Sequence, residues 1–185
     1  VAKTDLLPVR LVRAARSLEE RFQLLHVPNR KISQSEWNSL PAPIRKLVPD
    51  WISVLLSDHS LADGVLEYRD RTEPYVRQFR FATPSEYALE LGEKGTFSAL
   101  PRFGLVPFAY ESDGNVWVLK FKDGPNGKLY LLDASAWDGR EPKHGNGLVF
   151  ASSSLALLLA SMGVSEVSYY NDPKGVRSVL WYEDK

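Results

Sequence analysis

The chain has 185 residues, 44% of them hydrophobic and 25% charged, with 23 basic and 23 acidic side chains and no cysteine. This is the make-up of one packed domain, and it argues against wholesale disorder or a fibrous repeat. Zero net charge leaves no overall field to hold a nucleic-acid backbone or an anionic membrane, and the lack of cysteine excludes disulfides, thiolate metal ligands and a cysteine nucleophile.

The balance conceals an asymmetry. Residues 1–50 hold nine Lys/Arg against five Asp/Glu, whereas residues 51–185 hold 14 against 18. A basic start and a mildly acidic body read as ordinary solvated surface, with an acidic face for a basic partner as the sharper alternative. Residues 1–12 carry Lys3, Asp5 and Arg10 where a signal peptide needs an apolar run, and no stretch reaches the roughly 18 apolar residues of a membrane span. No export address and no membrane insertion are expected, and the absence of cysteine suits a reducing cytoplasm.

In chain order, Leu11, Ala14, Ala15, Leu18, Phe22 and Leu25 recur at three- and four-residue steps, which predicts an amphipathic helix over 10–25. Ser33 followed by Glu36 is a capping-box pair and predicts a short helix through Trp37. Pro43 and Pro49 suit first turns, so two more short helices are expected over 43–47 and 49–57, with Trp51, Leu55 and Leu56 facing the core. Val65, Leu66 and Tyr68, then Val76, Phe79 and Phe81, have the β-branched and aromatic character of strands. Thr83-Pro84 with Glu86 opens a helix carrying Tyr87, Leu89 and Leu91, which stops near Gly92 or Gly95.

From Phe103 onward the pattern is that of antiparallel hairpin strands. Leu105-Val106-Pro107-Phe108-Ala109 is followed by a turn at Asp113-Gly114-Asn115 and by a strand from Val116 to Phe121. A second turn over 123–127 leads to Leu129-Tyr130-Leu131-Leu132. Residues 134–147 read as a loop rich in Trp, Asp, Gly, His and Asn, and Leu148-Val149-Phe150 after it is strand-like. Ser152, Ser153 and Ser154 offer caps for a helix over 155–162, apolar almost all round and therefore expected to be buried. A last strand is predicted over 176–182. Trp37, Trp51, Trp117 and Trp181 are assigned to the core.

The segments Leu105-Val106-Pro107-Phe108-Ala109, Asp113-Gly114-Asn115-Val116-Trp117-Val118-Leu119 and Gly127-Lys128-Leu129-Tyr130-Leu131-Leu132-Asp133, with Phe150-Ala151-Ser152-Ser153-Ser154-Leu155 at the start of the last helix, resemble the core of the SUKH superfamily. The resemblance covers roughly residues 32–182 and is strongest over 103–162. The 134–147 loop and the N-terminal extension depart from the family pattern, and Asp63-Gly64 stands where the family commonly has a paired-glycine turn. The resemblance implies an α+β fold, a central mostly antiparallel sheet with helices packed against it, and no catalytic machinery. Residues 1–31 are read as a helical extension packed on the domain formed by 32–185. Bacterial members of the superfamily are immunity proteins that neutralise toxins, and fungal relatives regulate cell-wall synthesis.

Catalytic and metal-binding constellations are not expected. His26, His59 and His144 share no ligand spacing, the Gly145-Asn146-Gly147 cluster lacks the lysine of a phosphate loop, and the serine run lacks the glycines of a nucleophile elbow. No cofactor follows from any motif. The candidate site is the loop after the hairpin, where Trp137 stands among Asp133, Asp138 and Glu141, an aromatic anchor with nearby charges; the plainer alternatives are a solvated, turn-forming loop and a Trp137 folded back to cover the sheet. Three functions remain open in this order: a protein-binding domain that inhibits a toxin stoichiometrically, a regulatory or scaffold interaction domain, and an enzyme or small-molecule binder using those carboxylates. The expected partner is a protein, with no direct nucleic-acid contact; the oligomeric state is not encoded in any motif.

Overall fold

The computed structural model describes residues 7–69, 76–144 and 147–164. Four helices come first: α1 (Val9–Leu24), α2 (Gln34–Ser39), α3 (Ala42–Arg45) and α4 (Asp50–Asp58). Two strands follow, β1 (Leu66–Arg69) and β2 (Val76–Phe81), then α5 (Pro84–Glu90), β3 (Leu105–Glu111), β4 (Val116–Lys120) and β5 (Leu129–Leu132). The chain continues through β6 (Lys143–His144), β7 (Gly147–Ser152), α6 (Leu155–Ala160) and β8 (Gly163–Val164). The expected strand over 176–182, and with it Trp181, lies outside the described residues.

Among the described residues all eight strands form one sheet in the order β6-β7-β5-β4-β3-β2-β1-β8. Every neighbouring pair is antiparallel except β6 and β7. The molecule is therefore α+β with a mostly antiparallel sheet. Register decides the faces, because side chains alternate along each strand. Leu66, Tyr68, Arg77, Phe79, Phe81, Ala109, Glu111 and Trp117 share one face, and Arg80, Tyr110, Val116, Val118, Tyr130, Leu132 and Phe150 share the other. Phe79 stands edge-on to both Phe81 and Trp117, with ring centroids 5.1 and 5.7 Å apart.

α1 buries Leu11, Ala14, Ala15, Leu18 and Phe22 of the stripe predicted for it, whereas Leu25 is its C-cap and is exposed. Glu19 ties this helix to the end of α4: its carboxylate lies 2.8 Å from His59 Nδ1 and accepts the Ser60 N–H. Arg21 donates to the Met162 carbonyl at 3.1 Å. The Phe22 ring fills the space above Gly64, where an added Cβ would lie 2.4 Å from the ring edge. α2 and α5 meet through Trp37 and Tyr87, and Trp37 donates its indole N–H to Ser57. Trp37, Trp51 and Trp117 are buried, as are Leu55 and Leu56.

Two expectations need correction. Residues 134–147 are not loop throughout: a 3-10 turn at Ala134–Ala136 and the two-residue β6 lie within them. Strands that short carry no periodicity of their own and exist through their neighbour. α6 is also not buried all round, because Leu157 is 56% exposed along the groove between α1 and α6. Six residues give it one covered side, and α1 takes that side.

α6 joins the two rims of the sheet, since Ser152 in β7 pairs with β5 and Gly163 in β8 pairs with β1. Across a flat sheet these rims would stand six strand spacings apart, about 29 Å. Eleven peptide steps including a six-residue helix reach only about 26 Å. The sheet must therefore curl, with α6 as the chord of the curve.

Candidate functional site

The candidate loop starts from β5. Asp133 ends that strand, and its Oδ1 accepts the Ser135 N–H at 2.9 Å, the Ser135 hydroxyl at 2.6 Å and the Ala136 N–H at 3.3 Å. These bonds to Ser135, hydroxyl first and backbone second, hold the Asp133 carboxyl below its ordinary range. The local sequence Asp-Ala-Ser builds this cap on the 3-10 turn.

Trp137 follows the turn and packs, half-buried, against the core. Its indole N–H donates to the Thr96 carbonyl at 2.9 Å, and its ring meets Phe103 edge-on at 6.4 Å. The next residue, Asp138, accepts the Arg140 N–H at 3.0 Å and lies 3.5 Å from the Arg140 guanidinium.

Trp137, Asp138 and Glu141, together with Arg140, Lys143, Leu132 and Gly147, line an open cavity of about 430 Å³. Three of the four candidate residues thus converge. Asp133 does not line it, because its carboxylate is engaged by the turn it caps. The cavity mixes both signs of charge beside one indole, a lining that fits a polar protein surface with an aromatic contact.

Leu132 lines this cavity and shares its sheet face with Tyr130 and Phe150, so the cavity adjoins that face. On β7, Val149 is 57% and Phe150 45% exposed. Phe150 stands edge-on to Tyr130 of β5 at 6.3 Å. Lys120 Nζ lies 5.8 Å from the Tyr130 ring centre, and Lys128 Nζ lies 5.9 Å from that of Phe150. This Lys-Tyr-Phe-Lys group belongs to the sheet face set by the Val118, Tyr130 and Phe150 register. Sequence reasoning missed it. Lys128 and Tyr130 are two residues apart and share a strand face, but their meeting with Phe150 and Lys120 depends on register across three strands.

A second polar group lies inside the sheet. Glu111, 2% exposed, accepts from the Trp117 indole N–H at 2.9 Å, from Arg77 at 2.8 Å and from the Tyr68 hydroxyl. Burial raises the Glu111 carboxyl, and the hydrogen bonds from Tyr68 and Arg77 oppose that only in part. Across the sheet, burial would raise Glu86 as well. There the hydrogen bonds from Arg80 and from the Thr83 N–H prevail and hold the carboxyl below its ordinary range.

Among the described residues, no three His, Asp or Glu side chains gather around a point where a metal ion could sit, and no helix is long and apolar enough to cross a membrane. Comparison with family models, with curated proteins and with solved structures returned no match.

Proposed function

We propose that this chain is a non-catalytic protein-binding domain that acts by stoichiometric occupation of its partner. The observation that carries this reading is that Leu132, in the lining of the charged cavity around Trp137, Asp138 and Glu141, shares a sheet face with Tyr130 and the exposed Phe150. An apolar centre rimmed by charges is the anatomy of a protein interface. The resemblance of 103–162 to the SUKH core narrows the partner to a bacterial toxin, neutralised one to one in the cytoplasm. A regulatory partner would use the same surface.

The test is capture of partners from the source cell by the immobilised chain, in parallel with a Glu141→Arg, Asp138→Arg double variant, both quantified by mass spectrometry. One protein should be recovered near one-to-one stoichiometry by the native chain and lost from the variant, and its toxic activity should titrate to zero at one equivalent. Recovery unaffected by the variant, or turnover of a small molecule by the chain alone, would overturn the reading.

A further inference from the structure

α6 has the sequence of a wholly buried helix but is covered on one side only. Leu155-Ala156-Leu157-Leu158-Leu159-Ala160 carries no polar side chain, yet Leu157 and Ala160 are exposed. Between this helix and α1 runs an open groove of about 510 Å³. Its apolar part comes from Leu18 of α1 and from Ala156, Leu157 and Leu159 of α6.

The rest of the α1 side is basic. Arg10, Arg13, Ser17 and Arg21 all line the groove and stand three and four residues apart, so they share one line along the helix. No Asp or Glu belongs to the lining. Arg10 and Arg13 are exposed and form no ion pair among the described residues. Arg21 is held toward α6 and β8 by its bond to the Met162 carbonyl.

Shape and charge together select the occupant. From Arg10 to Arg21 the line is about 17 Å long, about three turns of helix, which is too spread for the guanidiniums to converge on one small anion. It matches carboxylates repeated once per turn along a facing helix. A second copy of this chain, docked groove to groove, would set arginines against arginines. A lipid bilayer takes up apolar groups that project from a surface, whereas Leu18, Ala156 and Leu159 are buried at the groove. A nucleic-acid backbone would leave the exposed Leu157 unmatched.

We propose that the groove between α1 and α6 docks an acidic amphipathic helix of a partner protein, with its aliphatic stripe against Leu157 and its carboxylates on Arg10, Arg13 and Arg21. This rests on the protein-binding reading above and adds a second contact surface with its own partner chemistry.

The experiment is selection of displayed helical peptides of about 18 residues, long enough to run the groove, against the full chain, followed by affinity measurement by fluorescence anisotropy. Enriched peptides should carry aliphatic residues at helical spacing beside a flank of Asp and Glu, and raising salt should weaken them. Arg10→Glu with Arg13→Glu changes two exposed positions near the start of α1, where acidic residues suit a helix, and should weaken binding about tenfold or more. Leu157→Glu should do the same. Ser154 already caps α6, so Glu at 157 completes a capping box and keeps the fold while setting a carboxylate in the groove. Enrichment of basic peptides, no enrichment, affinities indifferent to these variants, or a dimer by light scattering that Leu157→Glu dissolves would each overturn the proposal. So would anionic vesicles or oligonucleotides that displace the peptides from the native chain. If the captured partner is lost from the Glu141→Arg, Asp138→Arg variant but held fully by Arg10→Glu, Arg13→Glu, the groove proposal fails and the protein-binding reading stands. If it is held by the first variant and lost from the second, the cavity reading fails and the groove proposal stands.

Discussion

Buried Glu111 and half-buried Glu86 are both carboxylates paired with an arginine, and they have opposite consequences for stability. Glu111 takes bonds from Tyr68, Arg77 and Trp117 in the sheet interior. Glu111→Ala would leave the Trp117 N–H and the Tyr68 hydroxyl without this acceptor in the sheet interior, and should cost about 3 kcal/mol in urea unfolding. The folded-state carboxyl is raised above 4.5. Its contribution is therefore complete below that value and declines as pH rises through the folded one. Glu86 is held below 4.5, so its contribution is present above that value and is lost as pH falls through the folded one. Unfolding measured as a function of pH on Glu111→Gln and Glu86→Gln should thus show opposite changes in slope: the first flattens the limb above pH 4.5, the second the limb below it.

At the scale of elements, α5 depends on its first turn. The Thr83 N–H and hydroxyl both donate to Glu86, at 2.8 and 2.9 Å, and Pro84 presets the backbone. Thr83→Ala should lower stability by about 1 kcal/mol, read as a shift in the denaturation midpoint at constant slope. Gly64→Ala strikes a different element, since its methyl would meet the fully buried Phe22 ring of α1, and should cost about 1–3 kcal/mol. Both capping pairs, the α1 stripe and the β3-turn-β4 hairpin were legible in the sequence because each is written within a few neighbouring residues. β6 and β8 were not, being two-residue strands defined by their partners. The site was legible to the same extent. Asp133, Trp137, Asp138 and Glu141 mark the loop, yet the attachment of Trp137 to Thr96 spans 41 residues and the Lys120-Tyr130-Phe150-Lys128 group depends on sheet register.

For the whole molecule the governing feature is the sheet's curl around one short connection. Ser154 caps α6 by accepting the Leu157 N–H at 3.3 Å, and Leu155, Leu158 and Leu159 anchor the helix. When this helix melts, the tether between the rims slackens and both are freed together. Amide hydrogen exchange should therefore report the two most distant stretches of the ladder as one cooperative unit: in Leu158→Gly, protection at Leu66 and Glu67 in β1 and at Leu129 and Leu131 in β5 should fall by a common factor, while Val116 and Val118 of the central β4 keep theirs. A partner seated in the cavity beside β7 would, through the same tether, slow deuterium uptake at the β1 rim, several strands from the contact.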